Sequence, residues 1–128
     1  MNTGFHHIGL KYSDLQRSLD FYRALGLTEL TRWGEVGDEI VMLAMSDGGI
    51  IELLPSRGED FVSNGKWIHF AIKVDDVSEA YNNALKAGAA PLIAPKVVPL
   101  DSKPEKMSIN IAFVKGPNGE ELEFFKIV

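Results

Sequence analysis

Two histidines and two glutamates recur at matching places in two halves of the chain. His7 opens the stretch His7-Ile8-Gly9-Leu10-Lys11, and Asp14 follows seven residues after it. His69 opens His69-Phe70-Ala71-Ile72-Lys73, and Asp76 follows at the same spacing. Glu52 lies four residues after Gly48, and Glu123 lies four residues after Gly119. Neutral imidazole nitrogens and carboxylate oxygens together make a borderline-hard donor set. It suits one divalent ion such as Ni²⁺, Zn²⁺, Co²⁺, Mn²⁺ or Fe²⁺, with water completing the coordination. Such an ion chelates two neighbouring oxygens of a substrate and acidifies the C–H beside them. A nearby carboxylate can then move the proton from one carbon to the next.

The elements that position these residues read the same way in each half. A strand over about 5–12 puts Ile8 and Leu10 on one face and His7, Gly9 and Lys11 on the other. Ser13 or Asp14 can cap a helix carrying Leu15, Leu19, Tyr22 and Leu25, and Gly26 suits its left-handed stop. Strands near 28–36, 39–46 and 49–54 follow, turning at Gly37-Asp38 and Asp47-Gly48-Gly49. The polar stretch after Pro55 reads as a linker, about 56–65. The second half repeats the order: a strand near 67–74, then a helix capped by Asp75 or Asp76 with Val77, Ala80, Tyr81, Ala84 and Leu85 on one stripe. Strands near 91–98, 107–115 and 120–127 complete it, with a surface loop from Pro99 to Lys106 that could serve as a lid.

Each half is therefore strand–helix–three strands. The predicted fold is α+β: two βαβββ modules, about 5–55 and 66–128, form a curled mixed sheet around an open cleft, with the helices on the outer face. In the fourth strand of each half, Ile51 and Leu53, or Leu122 and Phe124, claim the packed face and leave Glu52 or Glu123 on the other. A lone strand histidine is ordinarily a hydrogen-bonded structural residue. Four residues agreeing in parity and in repeat position favour a metal site. His6 has the wrong parity and lacks the seven-residue spacing to an aspartate.

Composition narrows the function classes. With 128 residues and 45% hydrophobic side chains the chain can bury the core of a single domain. Its formal charge of −5 disfavours nucleic acid and anionic membrane as partners. The absence of cysteine excludes disulfides, thiolate ligands and cysteine nucleophiles. No signal peptide or membrane span is legible, so a cytoplasmic location is the default expectation.

These motifs resemble the vicinal oxygen chelate superfamily, which groups glyoxalases, bleomycin-resistance proteins and extradiol dioxygenases. The resemblance rests on Phe5-His6-His7-Ile8-Gly9-Leu10, Ser18-Leu19-Asp20-Phe21-Tyr22 and Leu25-Gly26-Leu27 in the first half. In the second half it rests on His69 to Asp76, Ala112-Phe113 and Gly116-Pro117-Asn118-Gly119. It implies paired βαβββ modules whose first and fourth strands supply the metal ligands. Those positions fall on His7, Glu52, His69 and Glu123, the set found in glyoxalase I of the lactoylglutathione lyase type. The resemblance also implies Glu123 as catalytic base, with Glu52 second. Lys11 stands where such glyoxalases tend to carry Arg, and Ser56 where they tend to carry Asn. Lys neutralises a carboxylate but lacks the bidentate fork of Arg.

The expected activity is that of a metal-dependent, glyoxalase-like lyase or isomerase. It would act on a small α-oxo compound or its thiol hemithioacetal, a glutathione adduct among the candidates, through an enediolate. The alternatives are an epimerase of the same superfamily and a non-catalytic, antibiotic-type binding protein. A dioxygenase fits less well, because the second Glu fills a position oxygen needs. Lys11, Lys73, Trp33 and Arg57 are candidate substrate-binding residues. Trp67 is a further candidate wall, and Lys103 reads as a solvated loop residue. Superfamily relatives of this length commonly pair modules between chains, which makes a homodimer the expected assembly.

Overall fold

A computed structural model describes residues 2, 5–56, 69–102 and 104–128 of the chain. The chain divides into two compact units, Met1–Val62 and Ser63–Val128. The architecture is α+β, with one helix and one four-stranded mixed sheet in each unit.

In the first unit β1 (His7–Tyr12) leads into α1 (Leu15–Ala24), and β2 (Thr28–Trp33), β3 (Ile40–Ala44) and β4 (Ile50–Pro55) follow. The sheet order is β1-β4-β3-β2, with β1 parallel to β4 and the other pairs antiparallel. Asp14 caps α1 by accepting the Arg17 N–H at 3.1 Å, and Gly26 follows the helix at φ +96°. Of the expected stripe Leu19 and Tyr22 are fully buried, joined by Ser18 and Phe21, while Leu15 and Leu25 are half-buried. Val41, Leu43, Ile51 and Leu53 alternate into the core. β2 ends at Trp33 rather than near residue 36, because Gly34 takes φ +99° and starts the turn into β3. This edge strand is tied by charge. Glu29 accepts from Arg32 at 2.6 Å and from Arg23 of α1 at 3.2 Å. The Arg32 guanidinium holds the Glu29 carboxyl below the usual carboxylate range, and Glu29 in turn raises Arg32.

The second unit repeats the plan. β5 (Phe70–Lys73), α2 (Val77–Lys86), β6 (Ala90–Leu100), β7 (Met107–Lys115) and β8 (Glu121–Ile127) form the sheet β5-β8-β7-β6. β5 is again parallel to β8. Of the two candidate caps it is Asp76 that accepts the Glu79 N–H, at 2.9 Å. α2 lies against β6, β7 and β8, and buries Val77 and Ala84.

The long loop expected from Pro99 to Lys106 is shorter in the structure. Pro99 pairs with Ser108 and Leu100 with Met107, so β6 runs on and only residues 101–106 connect the two strands. Proline tolerates this because β6 is an edge strand, where a missing N–H need not break a ladder. Most of the expected linker, from residue 57 on, lies outside the described residues.

The turn before β8 depends on a glycine for space. Glu120 is buried, and its carboxylate folds back to accept the Asn118 N–H at 2.7 Å. A Cβ on Gly116 would stand 2.5 Å from the Glu120 carboxyl carbon. We expect Gly116→Ala to expel that side chain and cost about 1.5–3 kcal/mol, the scale of one hydrogen bond to a charged acceptor. In a Glu120→Ala background the same substitution should cost clearly less. Urea denaturation of the four variants measures the coupling, and equal costs in both backgrounds rule out the clash as the cause.

Candidate functional site

Each unit builds one His/Glu pair by the same ladder arithmetic. Glu52 stands opposite Gly9 in the parallel β1–β4 ladder, and Glu123 stands opposite Ala71 in the β5–β8 ladder. Gly9 is two residues beyond His7, and Ala71 is two beyond His69. Strand alternation then puts the histidine and the glutamate on one face in each case. Side chains diagonal to one another across adjacent strands can meet when they are long. His7 Nε2 lies 3.7 Å from Glu52 Oε1, and His69 Nε2 lies 3.2 Å from Glu123 Oε1.

The opposite face of the same strands is packed. Ile51, Leu53 and Leu122 have no exposed surface, and Ile72 and Phe124 are also buried. Alternation therefore holds Glu52 and Glu123 away from the core. The two pairs differ in surroundings. Glu52 pairs across the ladder with Met42 of β3, whereas Glu123 pairs with Phe113 of β7. The Phe113 ring also meets His69 edge-on, with centroids 5.0 Å apart. Glu123 is buried to 9% exposure, and Glu52 is half-buried. Both histidine side chains remain about one-third exposed, at 37% and 35%.

This geometry fits a divalent ion. Two donors bound side by side to one ion at about 2.1 Å stand roughly 3–3.5 Å apart. The 3.2 Å pair falls in that range, and the 3.7 Å pair needs only a small side-chain rotation. Among the described residues no three His, Asp or Glu side chains gather around one point, so each unit by itself offers two donors.

Lys11 and Lys73 occupy equivalent places, two residues beyond Gly9 and Ala71, and both are exposed on the histidine face. Trp33 pairs with Ile40 at the open edge of the first sheet and is 45% exposed. The Val41–Leu53 register puts Ile40 beside Leu54, and Leu54 is the partner of Lys11, so Lys11 and Trp33 end one cross-strand row. Ser56 is buried, and its N–H bonds to the Tyr12 carbonyl at 3.0 Å. Arg57, Trp67 and Lys103 lie outside the described residues.

Sequence reasoning set His6 aside as a ligand and did not expect its contact with His7. Strand parity turned it away from the site, but β1 begins only at His7 and the backbone before it is not bound by alternation. The His6 ring comes back to its neighbour, Nδ1 to Nδ1, at 2.8 Å. In the sequence Phe113 stands out only as part of a motif, with no role at the site. Only the β7–β8 register reveals it beside Glu123.

Comparison with known proteins agrees with this architecture. Residues 4–124 match the sequence profile of the Glyoxalase/Bleomycin resistance protein/Dioxygenase superfamily. The uncharacterized protein YwbC of Bacillus subtilis (strain 168) is 28% identical over 125 residues, covering 94% of each chain. Among solved structures, the hypothetical protein SA1046 from S. aureus superposes with a TM-score of 0.71 at 19% identity, over 98% of this chain and 94% of that one. Glyoxalase I from Zea mays superposes equally well, TM-score 0.71 at 22% identity, over 94% of this chain but 43% of the maize protein. At such identities these two structures speak for the fold. Among the described residues no helix is long and apolar enough to cross a membrane.

Proposed function

The chain belongs to the Glyoxalase/Bleomycin resistance protein/Dioxygenase superfamily, and we propose that it is a metal-dependent lyase or isomerase of glyoxalase I type. Its substrate in this reading is a small α-oxo compound or its thiol hemithioacetal. The observation that carries the reading is the repeated pairing of a histidine nitrogen with a glutamate oxygen at one register in both units. A binding protein that performs no chemistry has no need for two such pairs.

In this proposal His7, Glu52, His69 and Glu123 hold one divalent ion, Ni²⁺, Zn²⁺, Co²⁺, Mn²⁺ or Fe²⁺. The second pair comes from the same chain or from a second copy. The bound ion supplies Lewis acidity toward two neighbouring substrate oxygens. The protein supplies the proton transfer. Glu123 takes the proton from the carbon beside the carbonyl and returns it to the adjacent carbon, so the substrate passes through an enediolate. Its burial beside Phe113 limits competing water at that carboxylate. Glu52 is the second candidate base. Lys11 and Lys73 anchor an anionic substrate group as point charges, and Trp33 offers an apolar wall. Arg57 is proposed for the same anionic end from the sequence alone. A related reading, an epimerase, uses the same proton transfer on another keto compound.

Elemental analysis tests the ligand set. Wild type should hold close to one divalent ion per site, and His69→Ala should lose most of it. Unchanged stoichiometry in that variant removes His69 from the set.

The reaction is tested by solvent-deuterium exchange into the α-carbon of the hemithioacetal of methylglyoxal and glutathione. Glu123→Gln keeps an oxygen near its place but cannot accept the proton, and should lower turnover by about 10²–10⁴-fold. Exchange that persists in Glu123→Gln assigns the base to Glu52. Tight binding of an aromatic ligand without exchange on any α-oxo compound supports the binding protein instead.

We also propose a homodimer. Light scattering should give twice the 14.1 kDa of one chain, and a single-chain mass at micromolar concentration refutes it.

A further inference from the structure

One polar contact at the first His/Glu pair is not used by the chemistry above. His6 Nδ1 and His7 Nδ1 stand 2.8 Å apart, with the two rings edge-to-face at 84°. That distance requires one proton between the two nitrogens, carried by one ring and accepted by the other. If His7 carries it, the lone pair of His7 lies on Nε2. If His6 carries it, a neutral His7 accepts at Nδ1, keeps its single ring proton on Nε2 and cannot bind an ion there. Nε2 is the nitrogen nearer the carboxylate, 3.7 Å from Glu52 Oε1, which is beyond hydrogen-bond reach. No bond to Glu52 therefore holds a proton on Nε2, and an ion arriving there selects the first arrangement.

We infer that His6 is a positioning residue for the metal site: its Nδ1 accepts the Nδ1–H of His7, fixes the ring plane and presents the His7 Nε2 lone pair to the ion. This rests on the metal reading above. Ligating histidines generally donate their other ring N–H to an acceptor that orients the ring and raises its basicity. Here that acceptor is the preceding side chain in the sequence. His69 is placed differently: its ring meets Phe113 edge-on, with centroids 5.0 Å apart.

The test uses the full chain and Zn²⁺, titrated against a competing chelator. His6 is exposed, so its substitution spares the core. His6→Phe keeps a ring without an acceptor and should weaken Zn²⁺ binding roughly tenfold, the low end for an orienting residue because the contact is solvent-exposed. His6→Asn restores an acceptor oxygen and should recover most of that loss. In the Zn²⁺-loaded wild type, ¹⁵N shifts of the His7 ring should show a protonated Nδ1 and a metal-bound Nε2, a pattern lost or mixed in His6→Phe. Equal Zn²⁺ affinity in wild type and His6→Phe overturns the inference, and so does a His6→Asn variant as weak as His6→Phe. A wild type that takes up no Zn²⁺, Ni²⁺ or Mn²⁺ overturns the metal reading itself and this inference with it.

Discussion

The parallel pairing of the first and fourth strands in each unit is the constraint on which the rest hangs. Parallel neighbours cannot be joined by a tight turn, so the chain must leave the far end of β1 and cross back to the end where β1 began before β4 can start. The helix and the two intervening strands make that journey. What it achieves chemically is adjacency. His7 and Glu52, far apart in sequence, become diagonal neighbours in one ladder, and His69 and Glu123 do the same. Hydrogen bonds that any residues could make thus set the distance between two specific side chains.

Alternation does the second half of the work. A glutamate between Ile51 and Leu53 has one direction left once those two are buried. The same holds for Glu123 between Leu122 and Phe124. A carboxylate there is costly if it has no partner, because its desolvation is offset by nothing. The core therefore orients the polar face without touching it. Buried residues such as Leu53 and Phe124 decide where the glutamates point.

Much of this was legible in the sequence, for reasons that can be named. Period-two alternation is strong in β4 and β8, so their faces were readable. Asp14, Asp76 and Gly26 mark helix ends by mechanisms that do not depend on the rest of the fold. The duplicated spacing then linked the two halves. What escaped depends on register. That Phe113 stands opposite Glu123 follows from where the β7–β8 turn closes, and this turn is set by Glu120 folding over Gly116. The extension of β6 through Pro99 was hidden because proline reads as a breaker unless the strand is known to lie at an edge. The contact of His6 with His7 was hidden because parity applies only inside a strand.

The same prolines have a bearing on how the protein behaves at high concentration. β6 lies at the margin of the second sheet, and Pro91, Pro95 and Pro99 leave three of its eleven positions without an N–H. Its pairing is further broken by two bulges, between Pro91 and Ile93 and between Ile93 and Lys96. A foreign strand needs an unbroken row of donors and acceptors to add itself to a sheet. Here it finds gaps and a local kink instead. Exposed apolar side chains such as Leu92, Ile93 and Val97 lie on that margin, where these gaps guard against strand addition. The chain is thereby free to keep greasy surface there, where a smoother strand would have to be charged.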